Sequence, residues 1–427
     1  MDYLLHLPAL VKMLLAFGMI LGLYRFNLHL SAGLFAGSTA LGLLMGLSVW
    51  ETVRIMFLSL LEAQSASLAL IVAVILVLSK LMNDSGQLDR IVTSFSRVIH
   101  STKAVTLIMP ALIGLLPMPG GALFSAPMVE SAAKRAGLGP EEKTAVNYWF
   151  RHIWEYWWPL YPGVVLAVSL LGVPAWKFML VQFPLTLITV AVGMIFIGRL
   201  VSVREEPATA ARDEGKWKDF RREVRPITLI ILAIPGVKVV ELVIGRALPS
   251  LTAVFLGLAL CLGWVIFQNH IKLPQVVKAT LSKSTGAMVL LIFGIMAFKG
   301  ILVESRAVAD IQSDMGRFGI PPLLIICLVP FLSGLVTGIA VGFVGSSFPL
   351  VVPLLANLQG VDYLAHASLA YAFGYMGMML SPVHLCLLVT KDYFSASLVK
   401  TYRLLAWPTL TVMVVVLAGF GLVQLLV

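Results

Sequence analysis

Charged residues are scarce in this chain. Only 12% of its 427 residues are Asp, Glu, Lys or Arg, whereas soluble domains carry about 25%. Hydrophobic residues make up 59% of the chain, which is more apolar surface than a soluble fold can hide. The composition therefore excludes a soluble globular protein and indicates a chain that crosses a lipid bilayer several times.

Cysteine is also scarce. The three cysteines, Cys261, Cys327 and Cys386, lie inside apolar segments and lack metal-ligand spacing. We expect them to be buried small hydrophobes, and we predict neither a bound metal nor another cofactor. A cleavable signal peptide is not evident, because the first apolar run (4–24) lacks a basic start and a clear small-residue cleavage site. That run is predicted to remain as a helix.

The formal net charge is +10, but the basic residues do not form a patch. They are spread through short loops between apolar runs, which is typical of a cytoplasmic membrane face and argues against a nucleic-acid partner. Runs of about 20 apolar residues indicate full spans. We predict them at 4–24, 28–47, 66–82, 176–200, 226–246, 250–268, 286–303 and 404–427.

Glycine and proline interrupt the remaining apolar regions. Regions 104–135 and 320–357 are predicted to form re-entrant hairpins, and regions 143–172 and 362–390 to form broken spans. Short amphipathic helices are predicted at 85–100 and 305–318. Such paired interruptions in corresponding positions of two halves are typical of the substrate site of a secondary transporter.

The two halves resemble each other at an offset near 220 residues, as in Gly120–Val129 and Gly342–Val351. We predict an N-terminal repeat (1–201), a cytoplasmic linker (202–225) with seven Arg or Lys, and a C-terminal repeat (226–427). Each half has five spans, so the second must be inverted relative to the first. With the linker inside, the inner loops hold most Lys and Arg and both termini lie outside.

Four half-helix N-termini are predicted at mid-depth, near Gly121, Gly163, Ser346 and Val383. A helix N-terminus offers free N–H donors and partial positive charge, which suits an anion such as a carboxylate. In an alternative interpretation, the glycines only allow close helix packing. The candidate substrate-binding residues in these segments are Gly120, Gly121, Ser125, Gly163, Thr337, Ser346, Ser347, Ser381 and His384.

Ionisable residues also lie in the first broken span. Arg151 and Glu155 are four residues apart and share a helical face. We predict Arg151 as an anion contact, because charges within a span usually line a pathway. Alternatively, the pair neutralises itself and the surrounding Trp and Tyr residues form an interfacial belt. The candidate residues for coupling to H⁺ or Na⁺ are His152, Glu155, Tyr371 and Tyr375.

Three segments, 116–121, 151–155 and 374–382, are similar to a prokaryotic membrane family of unknown function. With its paired hairpins and inverted halves, the chain resembles the ion transporter superfamily, which includes divalent-anion/sodium symporters and gluconate-type permeases. The resemblance implies a homodimer in the cytoplasmic (inner) membrane. In it, a scaffold (1–100 and 226–318) would hold a transport domain (101–201 and 319–427) that moves as an elevator.

The predicted fold is an all-α polytopic membrane protein with two inverted five-span repeats, each with a re-entrant hairpin and a broken helix. The predicted function is secondary active transport of a small organic anion, a carboxylate, coupled to H⁺ or Na⁺ by alternating access. One alternative is an intramembrane enzyme or lipid-handling protein that uses His152 and Glu155 as an acid/base pair or metal ligands. Another is a passive channel.

Overall fold

The computed structural model describes residues 6–96, 101–116, 118, 121–201, 214–249 and 251–426. This part of the chain contains twenty α-helices, one 3₁₀ turn (Gly198–Leu200) and no strand. The prediction of an all-α fold is confirmed. The helices of the first half are α1 (Ala9–Arg25), α2 (Leu30–Leu44), α3 (Val49–Leu61), α4 (Ala63–Asp84), α5 (Gln87–Ser96), α6 (Thr102–Gly114), α7 (Ala122–Ala136), α8 (Pro140–Arg151), α9 (Pro162–Leu171) and α10 (Ala175–Phe196).

The second half also contributes ten helices to the described part of the chain. They are α11 (Glu214–Ile244), α12 (Thr252–Gln268), α13 (Leu273–Thr280), α14 (Lys283–Glu304), α15 (Ala307–Phe318), α16 (Pro322–Thr337), α17 (Ala340–Leu354), α18 (Gly360–Met379), α19 (Leu385–Tyr393) and α20 (Leu398–Leu426).

Five helices are long and apolar enough to cross a membrane: α4, α10, α11, α14 and α20. Each has 22 residues or more with its continuation, and at about 1.5 Å per residue such a helix covers the roughly 30 Å of hydrocarbon. The protein is therefore a multi-pass membrane protein. These helices lie at five of the eight predicted full spans.

Three other predicted spans are shorter in the structure than expected. The regions 4–24, 28–47 and 250–268 form helices of 17, 15 and 17 residues, below the roughly 20 that a full crossing needs. Polar connections shorten them: Asn27 and His270 adopt positive φ angles of 64° and 51° in the turns after α1 and α12. Counting apolar residues therefore overestimates the length of a helix that ends in such a turn.

The hairpin and broken-span regions form pairs of short helices. Helices α6 and α7 pack together, as do α16 and α17, and each has only 13 to 16 residues. The broken regions form α8 with α9 and α18 with α19. The pair α15 and α16 is bent by 117° at the start of the second hairpin. Interruptions therefore occur in all four regions where glycine and proline predicted them.

Two features differ from the predicted linker and loops. Residues 202–213 of the linker lie outside the described residues, whereas 214–225 form the first part of α11. The short helices α3 and α13 were not predicted. Helix α3 begins with a capping box in which Ser48 and Glu51 satisfy each other's backbone N–H groups.

The hairpin of each half packs on the broken span of the other half: α17 contacts α9, and α7 contacts α19. The largest fully buried side chains cluster in this region, and Trp149, Trp158, Arg151 and Tyr148 are the four bulkiest. Because a buried arginine is costly and usually has a functional role, this region is the candidate functional site.

Candidate functional site

The two broken spans meet through a pair of histidines. His152 directly follows α8 and His384 directly precedes α19, so each lies in the break of its own half. Their Nε2 atoms are 3.1 Å apart, and their ring centroids are separated by 4.8 Å at an interplanar angle of 81°. Both side chains are buried. The two halves of the chain therefore share a polar contact in the protein core.

The tip of the first hairpin lies against Arg151. The Nη2 atom of Arg151 donates a hydrogen bond of 3.0 Å to the carbonyl of Met118. A Cβ atom on Gly121 would lie 2.4 Å from the same nitrogen, so glycine at this position leaves room for the guanidinium. Gly121 also directly precedes α7. The arginine is therefore held beside the N-terminal end of α7, which carries partial positive charge.

The tip of the second hairpin lies against the second break. Gly338 ends α16 with a φ angle of 65°, a left-handed conformation that glycine adopts without strain. A Cβ atom there would lie 2.8 Å from Oγ of Ser381 and 3.0 Å from the backbone nitrogen of His384. Both hairpin tips therefore contact residues that adjoin or belong to the histidine pair.

The charge of Arg151 is only loosely compensated. Its side chain is 2% exposed, and its Nη1 atom is 4.0 Å from Oε1 of Glu155. Its Nε atom is buried and has no hydrogen-bond partner among the described residues, and an unpaired buried donor costs about 1–3 kcal/mol. The same Glu155 oxygen lies 3.8 Å from Nε2 of His152. The guanidinium therefore keeps a free donor for an acceptor group.

Tyrosine hydroxyls join the broken spans of the two halves. Tyr375 and Tyr371 of α18 donate to the carbonyls of His152 and Glu155, over 2.6 and 2.8 Å. Tyr148 of α8 donates in return to the carbonyl of Met379, over 3.0 Å. Carbonyls at a helix break have no partner within the helix, and these buried hydroxyls supply one.

Aromatic donors also satisfy the end of α6. Trp154 and Trp158 donate from Nε1 to the carbonyls of Ala111 and Leu115, over 2.7 and 2.8 Å, and Tyr161 donates to the carbonyl of Gly114. Trp158 is fully buried. These side chains therefore serve as internal hydrogen-bond donors to the end of α6.

A cleft of about 410 Å³ adjoins this cluster. Its lining includes two exposed residues, Arg25 at the end of α1 and Asn27 in the connection between α1 and α2. It also includes Ile339 and Val383 beside the second hairpin tip. Val383 directly precedes His384. The cleft therefore reaches from exposed residues of the α1–α2 connection to the second break.

Comparison with known families agrees with this membrane architecture. Residues 9–423 match the family described as "Protein of unknown function (DUF401)". The chain belongs to the DUF401 family. It is also 26% identical, over 458 aligned positions, to a protein of Pseudomonas aeruginosa named "Gluconate permease", and the alignment covers 100% of this chain and 97% of that protein. The similarity to a permease suggests a transporter rather than an enzyme.

In this DUF401 protein, the predicted glycines have different surroundings. Gly121 adjoins Arg151, as described above, whereas a Cβ atom on Gly163 would lie 2.6 Å from Cβ of Ala340 in α17. The packing interpretation therefore explains Gly163, which sits where α9 and α17 cross. Gly120 lies outside the described residues.

The prediction that a half-helix begins near Ser346 is wrong. Helix α17 begins at Ala340, so Ser346 and Ser347 lie well inside it. Both are buried, and they donate to the carbonyls of Gly342 and Phe343 over 2.7 and 2.5 Å. The other three N-termini begin within two residues of the predicted positions, since α7, α9 and α19 start at Ala122, Pro162 and Leu385.

The remaining predicted hydroxyls surround the tips. Ser125 lies in the first turn of α7 and donates to the carbonyl of Ala122 over 3.2 Å, and Thr337 at the end of α16 donates to that of Ser333 over 2.8 Å. Ser381 lies in the second break, where its Oγ accepts from the backbone nitrogen of Val383 over 3.3 Å. Sequence reasoning missed Cys386, which the fold buries close to the two histidines.

Proposed function

We propose that this DUF401 protein is a secondary active transporter of a small organic anion, a carboxylate, coupled to H⁺ or Na⁺. The observation that carries the proposal is the position of Arg151. A buried arginine, whose Nε has no hydrogen-bond partner in the described part of the chain, lies where the first hairpin tip and both broken spans meet. Ionisable groups at such depth are costly and usually mark a substrate pathway.

The surroundings of Arg151 favour an anionic substrate. The N-terminal end of α7 lies beside it, and Glu155 is too distant for a close ion pair, at 4.0 Å. Guanidinium groups bind carboxylates through parallel N–H donors, and helix N-termini in broken spans of transporters point at anionic groups. In this proposal a substrate carboxylate accepts from Arg151 and from the first amides of α7.

The order of helices supports two repeats of the same unit. Four pairs of helices begin 220 residues apart: α4 and α14 (at Ala63 and Lys283), α5 and α15, α6 and α16, and α8 and α18. At the same offset, Tyr371 and Tyr375 correspond to Arg151 and Glu155. Charge recognition is therefore confined to the first half, while the second half contributes tyrosines and His384.

The packing between helices follows the same repeat. The contact of α9 with α17 has its counterpart in that of α19 with α7, and the contact of α10 with α18 has its counterpart in that of α20 with α8. Such reciprocal contacts are expected when two related halves pack about an axis in the membrane plane. They support the proposal of an inverted repeat.

We propose that the hairpins, the broken spans, α10 and α20 form the mobile transport domain, and that α1–α5 and α11–α15 form the scaffold of a homodimer. The cleft between the α1–α2 connection, α14 and the second hairpin tip lies on the boundary between these parts. An elevator movement would open and close such a boundary. His152, Glu155, Tyr371 and Tyr375 are the proposed residues along the path of the coupling ion.

Uptake into liposomes tests this function. Gluconate is the first probe because a similar protein is named a gluconate permease, and other small carboxylates follow. Wild-type protein should accumulate a carboxylate when a proton or sodium gradient is imposed, and an ionophore that dissipates the coupling gradient should stop it. Current through single channels without coupling would favour the channel alternative.

Variants of Arg151 test the site itself. Arg151→Ala should abolish uptake, and Arg151→Lys should retain only a fraction of it, because lysine keeps the charge but lacks the planar fork. Arg246→Ala is the matched control, since Arg246 is exposed and far along the chain from the breaks. Wild-type uptake in a folded Arg151→Ala protein would overturn the proposed site.

A further inference from the structure

Three potential metal ligands lie together at the junction of the two halves. The imidazole nitrogens of His152 and His384 and the Sγ atom of Cys386 all lie within 4.8 Å of one another. All three residues are buried. The Nε2 atoms of the two histidines face each other at 3.1 Å. This combination of two imidazoles and a thiol is a donor set that zinc and similar ions prefer.

We propose that His152, His384 and Cys386 form a binding site for a divalent transition-metal ion of the zinc type, which joins the two halves of the protein. The proposal does not rest on the transport function, because it concerns the ligands alone and can be tested by binding in detergent.

The orientation of His152 is that of a metal ligand. Its Nδ1 atom lies 2.6 Å from the carbonyl of Tyr148, which can only accept, so Nδ1 carries the proton. The lone pair therefore lies on Nε2, which faces His384. Histidines that bind metal almost always donate their other ring N–H to a carbonyl or carboxylate in this way, which fixes the tautomer and the ring orientation.

The distances suit one shared ion after a small adjustment. Two nitrogens that bind a tetrahedral zinc ion at about 2.0–2.1 Å lie roughly 3.3 Å apart, close to the observed 3.1 Å between the Nε2 atoms. Cys386 lies in the first turn of α19, two residues after His384, so both ligands move with one helix end. A small movement of this turn would bring Sγ to bonding distance.

Glu155 lies beside the three ligands but outside the group that is enclosed within 4.8 Å, and it would supply a fourth ligand after a side-chain movement. Its Oε1 atom lies 3.8 Å from Nε2 of His152, and a carboxylate would complete the four-coordinate geometry of a closed site. Metal binding requires the thiolate, so the proton of the Cys386 thiol passes to solvent when the ion binds. The thiolate and the carboxylate then balance the two charges of the ion, beside the guanidinium of Arg151.

An ion at this site would restrain movement. His152 and Glu155 lie between α8 and α9 of the first half, whereas His384 and Cys386 belong to the second half. Bonds to all of them would hold the two breaks in their present arrangement. We therefore expect the ion to stabilise the folded protein and to inhibit any activity that requires the breaks to separate.

Cobalt binding to the purified protein tests the proposal. Co²⁺ is the probe because a cobalt–thiolate bond gives a near-ultraviolet charge-transfer band, and tetrahedral cobalt gives visible d–d bands. Chelator-treated wild-type protein in detergent should develop both with about one ion per chain. Zn²⁺ should displace the cobalt and raise the melting temperature.

The cysteines provide matched variants. Cys386→Ser should remove the charge-transfer band and weaken binding at least tenfold, and His384→Gln should weaken binding similarly. Cys261→Ser, which alters another buried cysteine, should bind as wild type does. A protein in which Cys261 and Cys327 are both replaced by serine keeps Cys386 and must still show the band, which separates loss of the ligand from loss of folding. Absence of the band from folded wild-type protein, or its persistence in Cys386→Ser, overturns the proposal.

Discussion

Tyr375 donates its hydroxyl hydrogen to the carbonyl of His152 over 2.6 Å, across the boundary between the two halves of the chain. Tyr148 donates in the opposite direction, from α8 to the carbonyl of Met379 at the end of α18. Each half therefore satisfies a backbone carbonyl that the other half leaves open where its helix breaks. These reciprocal hydrogen bonds stabilise the two breaks, because a buried carbonyl without a partner is costly.

Replacing Tyr375 should destabilise the fold. Tyr375→Phe keeps the ring but removes the donor, which leaves the carbonyl of His152 buried without this partner. We expect the free energy of unfolding to fall by about 1–3 kcal/mol, measured as a lower melting temperature in detergent. Tyr393→Phe is the control, because Tyr393 is partly exposed, and it should melt as wild type does. Equal melting temperatures of the two variants would show that the Tyr375 hydroxyl does not contribute to stability.

Adding a methyl group at Gly121 should disturb the site more than the fold. Gly121→Ala would place Cβ 2.4 Å from Nη2 of Arg151, so the guanidinium must move away from α7. We expect the KM for the transported carboxylate to rise about tenfold, which corresponds to roughly 1.4 kcal/mol of binding free energy. Uptake at a range of substrate concentrations measures it.

Gly286→Ala is the control for this substitution. No atom of the residues that the structure describes lies within 4 Å of a Cβ atom at Gly286 in α14, and alanine favours a helix over glycine. Its KM should match that of wild type. An unchanged KM in the Gly121→Ala protein would show that the first hairpin tip does not take part in substrate binding.

A glycine at a helix crossing should have the opposite effect. In Gly334→Ala, Cβ would lie 2.1 Å from the carbonyl oxygen of Gly374, so α16 and α18 must separate. Overpacking of this kind costs about 1–3 kcal/mol. We expect a lower melting temperature, while the folded fraction keeps its KM. A raised KM without loss of stability would mean that this crossing, too, belongs to the binding site.

Glycine and proline predicted where the helices break because they act through the backbone. Pro162 lies at the first position of α9, and Gly121 directly precedes α7. The influence of these two residues on the backbone is local, so it can be read from the sequence. The predicted start near Ser346 was wrong because Gly345, the residue before it, lies inside α17 and serves packing: a Cβ atom there would be 2.3 Å from Ile295 of α14. The better signal was Gly338, which ends α16 in the left-handed conformation.

The composition of the site was harder to predict than its location. Arg151 and Glu155 were recognised because they are four residues apart in the sequence, although α8 ends at Arg151 and Glu155 lies in the break that follows it. Cys386 was not, because its neighbour His152 lies more than 230 residues away along the chain, and no local spacing joins them. Contacts between the halves arise from packing of whole helices, which the order of residues within one segment does not specify.

The central claim is that each hairpin enters and leaves the membrane on the same side, so that the tips of both hairpins lie near Arg151 and the two histidines. Side-specific labelling of single cysteines tests it in a protein whose native cysteines are replaced. The chosen positions flank the hairpins and are exposed: Ser101 and Pro140 for the first, Arg317 and Asn357 for the second. Each substitution to cysteine is made separately, and a membrane-impermeant maleimide is applied to one side of sealed vesicles.

We expect positions 101 and 140 to react from one side of the membrane and positions 317 and 357 to react from the other. Labelling of 101 and 140 from opposite sides would show that the first hairpin crosses the bilayer. The same result at 317 and 357 would show this for the second hairpin. Either outcome would contradict the account.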